Sequence, residues 1–154
     1  MNKVLVTGIS GYIGQHCAAE LIKNGYAVRG SLRSLFKAEA VTQAIQTAAD
    51  PIGNLEYCEL DLLSDSGWDK AIQGCDFALH VASPFVVRQP KDENELIKPA
   101  VEGTLRALKA AKKAGVKRLV LTSSLVAMLG EAKGICSSIM IVGLMLKPKG
   151  FLLM

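Results

Sequence analysis

The run Gly8-Ile9-Ser10-Gly11-Tyr12-Ile13-Gly14 constrains this chain more than any other feature of it. It follows KVLVT (residues 3–7), a short apolar run rich in β-branched residues, and it opens a segment whose apolar period becomes helical from Tyr12. Strand, glycine turn and helix in that order have a physical logic. Gly8 lets the chain turn tightly off the strand, Gly11 leaves room for a pyrophosphate to approach the backbone, and Gly14 lets the helix pack close. The N–H groups at the helix start, with the positive end of its dipole, then face the anion. The plainer alternative is a tight turn whose glycines are incidental.

The rest of the chain repeats the alternation. After the Tyr12 helix, with Ile13, Gly14, Cys17, Ala18 and Leu21 on its core stripe, Asn24-Gly25 stops it. Strands are expected at 26–32, 55–60, 76–81 and 117–122, and helices at 37–49, 68–73 and 92–114. In the last helix Ile97, Val101, Leu105, Leu108 and Ala111 form the expected core stripe, and Glu102, Arg106, Lys109 and Lys113 the wet face. Strands alternating with helices five times over predict an α/β fold, a doubly wound parallel sheet of order 3-2-1-4-5. The ligand is expected at the carboxyl ends of strands 1 and 4.

Charge narrows the ligand. No acidic residue stands between Glu20 and Glu39, whereas Arg29, Arg33 and Lys37 do. A carboxylate at the end of the second strand would accept the ribose hydroxyls of NAD; cations there favour the 2′-phosphate of NADP. NADP is therefore preferred over NAD, the alternative being cations that merely solvate a loop. The net charge of +4 is mild, and no aromatic residue interleaves with the basic cluster Lys109, Lys112, Lys113, Lys117 and Arg118, so no nucleic-acid partner is expected. No window holds the ~18 uninterrupted apolar residues of a membrane span. The cysteines, at 17, 58, 75 and 136, lack metal-ligand spacing, and a reducing cytoplasm is expected. His16 reads as a surface or capping residue and His80 as packing beside the cofactor site, the alternative for His80 being a functional contact.

The runs VLVTGISGYIG, VRGSLR, Asp61-Leu62, HVASPF (80–85) and IKPAVEGTLRALKAAKKAGVKRLVLTSS (97–124) together resemble the extended short-chain dehydrogenase/reductase family, of the NAD-dependent epimerase/dehydratase type. Within it, the dihydroflavonol reductase and cinnamoyl-CoA reductase-like branch is the most similar. The resemblance implies a Rossmann-type domain over residues 1–130 and an oxidoreductase acting on a small carbonyl or hydroxyl compound. It implies that Gly8, Gly11, Tyr12, Ile13 and Gly14 line the pyrophosphate and that Arg33, helped by Lys37, contacts the 2′-phosphate. Asp61 and Leu62 would hold the adenine, and Val81, Ala82 and Ser83 would pack along the ribose. Thr122 and Ser123 would face the nicotinamide, and Ser124 would be the catalytic serine bonding the substrate carbonyl. Hydride transfer in this family is completed by a tyrosine proton donor in a Tyr-x-x-x-Lys pair, the lysine lowering the tyrosine's pKa.

That pair is missing from the 154 residues. Tyr12, Tyr26 and Tyr57 all precede Ser124, and the residues four places on are His16, Gly30 and Asp61. The later strands and the substrate lobe of the family are likewise expected to be lacking, so a small-molecule substrate is expected only for a full-length relative. Residues 131–154 form an atypical apolar tail, with ICSSIMIVGLML at 135–146. The tail is read as the remnant of a truncated or frameshifted gene. The alternatives are an edge strand beside strand 5 and a membrane- or partner-binding anchor. An uncovered apolar tail would favour self-association. A catalytically inactive dinucleotide-binding module or a non-functional fragment is the competing reading of the whole chain.

Overall fold

The computed structural model describes residues 1–49, 53–83, 92, 94–123 and the backbone of 151–153. In chain order the elements are β1 (Lys3–Thr7), α1 (Tyr12–Lys23), β2 (Ala27–Leu32), a 3₁₀ turn (Leu35–Lys37), α2 (Ala38–Gln46), β3 (Leu55–Glu59), α3 (Trp68–Ile72), β4 (Phe77–His80), α4 (Asn94–Lys113), β5 (Arg118–Leu121) and β6 (Phe151–Leu153). The sheet order is β3-β2-β1-β4-β5-β6, and every pairing is parallel. The expected 3-2-1-4-5 core is therefore present. The sheet does not stop there: Phe151–Leu153 pairs with Leu119–Leu121 as a sixth strand. This corrects the expectation that strands after the fifth are lacking. The edge strand arises from the last residues of the tail, whereas 135–146 lie outside the described residues.

Parallel strands need covered faces, because their crossover helices lie on both sides of the sheet. Central β1 shows it: Val4, Leu5, Val6 and Thr7 are all buried. Leu5 belongs to the core under α3 and α4, with Ala78, Leu119, Trp68, Ile72, Ala107 and Ala111. Val4 and Val6 belong to the core under α1 and α2, with Val28, Leu32, Ala18, Val41 and Ile45. Period-2 side-chain alternation thus feeds two separate hydrophobic layers. The helices end where glycine takes up positive φ, at Gly25 after α1, Gly74 after α3 and Gly115 after α4.

Two helix faces agree with expectation only in part: Gly14, Ala18 and Leu21 of the α1 stripe and Leu108 and Ala111 of the α4 stripe pack inward, and the other members do not. On α4, Ile97, Val101 and Leu105 are exposed, and the buried residues are Gly103, Ala107, Ala110 and Ala111. Small side chains let the helix axis approach the sheet, so this face of α4 seats on the sheet, Leu108 packs against it, and Ile97, Val101 and Leu105 are turned outward. On α1 the buried residues are Gly14, Ala18 and Ala19, for the same reason, while Ile13 is 54% exposed.

Candidate functional site

Because all strands are parallel, their carboxyl ends share one edge. The structure brings there Gly8–Gly14 after β1, Arg33 after β2, Asp61 and Leu62 after β3, Val81–Ser83 after β4, and Thr122 and Ser123 after β5. Ser124 lies outside the described residues.

The glycine loop is built from backbone contacts. Gly8 has φ +70°, and a Cβ there would come within 2.9 Å of Ala82 Cα, so β1 and β4 approach too closely for any side chain. The Gly11 N–H donates to the Gly8 carbonyl at 3.0 Å, and Gln15 N–H to the Gly11 carbonyl at 3.0 Å. A Cβ on Gly14 would lie within 2.9 Å of Ile9 Cα and would overlap the Gly8 carbonyl, so Gly14 seats the helix on its own loop. At Gly11 a Cβ would meet only the Gly8 carbonyl, at 3.4 Å; this face of the loop is open. Gly11 is the N-cap of α1 and supplies no side-chain cap, and the first turn has no acidic residue. The leading amides of α1 are therefore left for an outside acceptor. Tyr12 and Ile13 are 80% and 54% exposed on the rim. The fit to a diphosphate is steric and electrostatic together: the backbone is bare where an anion would approach, and the local partial charge is positive.

Beneath the loop is a polar pair of which the sequence singled out only His80, chiefly as packing. Thr7 and His80 are register partners at the ends of β1 and β4. The Thr7 hydroxyl and His80 Nδ1 share a 2.9 Å hydrogen bond, and the Ala82 N–H donates to Thr7 Oγ1 at 3.1 Å. His80 is 3% exposed, and burial pushes its pKa down to about 4, so the imidazole is neutral near pH 7. The pair ties the Ala82 segment to the strand that launches the glycine loop.

The three cations separate. Arg33 and Lys37 are exposed, and among the described residues neither forms an ion pair. Arg29 is engaged elsewhere: its Nε donates to Glu56 Oε1 at 2.7 Å and its Nη1 to the Ala71 and Gln73 carbonyls at 3.0 and 2.7 Å. It caps the carboxyl end of α3, and so is not among the cations available for a ligand. Its side chain lies mid-strand on the α3 face, one residue out of phase with Gly30. Lys3, aided by Arg29, holds the Glu56 carboxyl below its ordinary range.

Among the described residues no group of three or more His, Cys, Asp or Glu side chains could hold a metal ion, and no helix is long and apolar enough to cross a membrane. Cys17, Cys58 and Cys75 are free thiols. Burial raises the pKa of all three, Cys58 to about 11, which makes them poor nucleophiles.

Residues 4–141 match the NAD dependent epimerase/dehydratase family. The chain belongs to that family. It is 39% identical over 122 residues to a dihydroflavonol 4-reductase of Hordeum vulgare, covering 79% of this chain and 34% of that enzyme. Against a bifunctional dihydroflavonol 4-reductase/flavanone 4-reductase of Malus domestica it is 38% identical over 124 residues, 80% of this chain and 35% of the relative. Among solved structures, yeast methylglyoxal/isovaleraldehyde reductase Gre2 complexed with NADPH superposes with a TM-score of 0.70 at 35% identity, covering 82% of this chain and 38% of Gre2. UDP-glucose 4-epimerase of Bifidobacterium longum, in complex with NAD+ and UDP, gives 0.69 at 26% identity, covering 87% of this chain and 40% of the epimerase. The chain thus spans little more than a third of the length of these relatives.

Proposed function

We propose that this chain binds NADP(H) along the carboxyl edge of its sheet, as the cofactor-holding part of an oxidoreductase of the extended short-chain dehydrogenase/reductase type that acts on a small carbonyl or hydroxyl compound. The observation that carries the reading is the pairing of a bare glycine cradle with an exposed Arg33 after β2, which among the described residues forms no ion pair and is followed by no acidic residue before Glu39. The amides of Tyr12, Ile13 and Gly14 would hold the diphosphate, Arg33 and Lys37 the 2′-phosphate, Asp61 and Leu62 the adenine, and Val81, Ala82 and Ser83 the ribose. Thr122, Ser123 and Ser124 would border the nicotinamide, Ser124 as the group bonding a substrate carbonyl. The bound nicotinamide would supply the hydride. The 154 residues contain no Tyr-x-x-x-Lys pair to deliver the proton, so this polypeptide by itself binds the cofactor without turnover.

Residues 1–130 are assigned to the cofactor unit and 131–154 to an apolar tail, whose last residues, Phe151–Leu153, extend the sheet as β6 and whose apolar run at 135–146 is read as the self-associating part. A reducing cytoplasm suits the free thiols of Cys17, Cys58 and Cys75. The test is a fluorescence titration of the pure chain with NADPH and NADH, followed by a carbonyl-reduction assay. Arg33→Ala is expected to weaken NADPH by about tenfold or more, the scale of one lost charge-assisted bidentate contact, with little effect on NADH. Equal weakening of both removes the NADP assignment, and turnover by the pure chain removes the claim that a proton donor is missing.

A further inference from the structure

The segment between β3 and α3 is held from outside by α4. Arg106, on that helix, has a side chain only 17% exposed. Its Nη1 donates to the Leu62 carbonyl at 3.0 Å, its Nε to the Asp65 carboxylate and its Nη2 to Glu102 Oε2 at 3.3 Å. All three guanidinium nitrogens are committed, two of them to the 61–65 loop. One turn earlier Gly103 is buried, and a Cβ there would stand 3.4 Å from Leu62 Cβ and 3.6 Å from the Leu62 carbonyl oxygen. The loop therefore rests directly on the helix at its one glycine.

Inside the loop, Asp61 Oδ1 accepts the Leu63 N–H at 3.0 Å, and Trp68 Nε1 donates to the Ser64 carbonyl at 3.0 Å. The contrast with Lys113 and Asp69 is instructive. They form an ion pair of two well-exposed side chains, 72% and 69% accessible, a kind that stabilises little. Arg106 instead grips a main-chain carbonyl with a planar, pre-organised fork, which fixes geometry.

We propose that Arg106 is a positioning residue for the adenosine half of the dinucleotide: from α4 it clamps the Leu62 carbonyl and holds the 61–65 loop in the shape that receives the adenine. This rests on the reading above that Asp61 and Leu62 face the adenine. Arg106 acts through Leu62 and does not touch the ligand.

The experiment follows the ¹⁵N-labelled full chain by NMR while 2′,5′-ADP, which fills the adenosine half, or inorganic pyrophosphate, which fills only the glycine cradle, is added. Arg106→Ala is expected to weaken 2′,5′-ADP by about tenfold, in line with losing a hydrogen bond from a charged donor, and to leave pyrophosphate affinity unchanged. Arg106→Lys should recover part of the loss, because an ammonium can reach the carbonyl but cannot span both partners. Wild-type affinity for 2′,5′-ADP in the alanine variant overturns the proposal. So does an equal loss for both ligands, which marks general loosening. Should Arg106→Ala give no folded spectrum, Arg106→Gln, which keeps the apolar stem, carries the same comparison with the same two overturning outcomes. A wild-type chain that binds pyrophosphate but not 2′,5′-ADP overturns the adenine reading, and the role of Arg106 with it; this is told apart because it appears before any substitution.

Discussion

Acid should loosen this fold through His80. The imidazole is buried at the end of β4, and its pKa lies at about 4 against 6.5 for the free side chain. The unfolded chain takes up a proton near 6.5, whereas the folded chain resists protonation until about pH 4. Between those values the unfolded state binds more protons, so stability rises with pH; the unfavourable contribution is absent above 6.5 and accumulates as pH falls towards 4. A depression of that size corresponds to about 3 kcal/mol, a large part of a small domain's total. Glu56 and Asp76, whose pKa values are lowered chiefly by hydrogen bonds from Lys3 and Lys117 respectively, also cost stability on acidification. They do so equally in wild type and in a His80 variant. Urea unfolding of wild type and His80→Gln at steps from about pH 7.5 to about pH 4.5 therefore isolates the histidine, with wild type expected to lose about 2–3 kcal/mol more than the variant across the range. Parallel pH profiles for the two proteins would show that His80 titrates alike in the folded and unfolded chains and would refute the reasoning. NADPH affinity, a property of the folded chain, should hold over most of this range and fall only as pH approaches about 4, where the buried imidazole takes up its proton and disturbs the Thr7–His80 pair that anchors the Ala82 segment against Gly8.

Gly14→Ala drives a methyl into the Gly8 carbonyl and Ile9 Cα, all backbone atoms that cannot swing aside; unfolding free energy should drop by about 1–3 kcal/mol and NADPH quenching should disappear, while a variant with wild-type stability and binding refutes the packing argument. Light scattering over a range of concentrations should show mass rising with concentration if the apolar tail self-associates, and a constant monomer mass refutes it.

Much of the architecture was legible along the chain. KVLVT, the helical period from Tyr12, and glycines such as Gly25 and Gly115 at helix ends mark elements by local chemistry alone, and the five-strand order follows from the handedness of parallel crossovers. The α4 face was not legible. Ile97, Val101 and Leu105 make an apolar stripe, but the stripe cannot say where the sheet lies; Gly103, Ala107 and Ala110 won the sheet side because they permit closer approach. Arg106 likewise looks like a solvated partner of Glu102 at i,i+4, since its decisive acceptor, the Leu62 carbonyl, is 44 residues away.

Local order, the glycine cradle and the absence of a carboxylate after β2 were therefore determined by the sequence, because each depends on backbone freedom, periodicity or charge within a few neighbouring residues. Which cation stays free, which face of α4 meets the sheet and which side chains grip the carboxyl edge were decided only by the tertiary structure. Arg29 shows why. It and Arg33 are alike in charge and only four positions apart, yet one is spent on the carbonyls of α3 and the other is left in solvent, a difference set by strand alternation and by partners about forty residues distant.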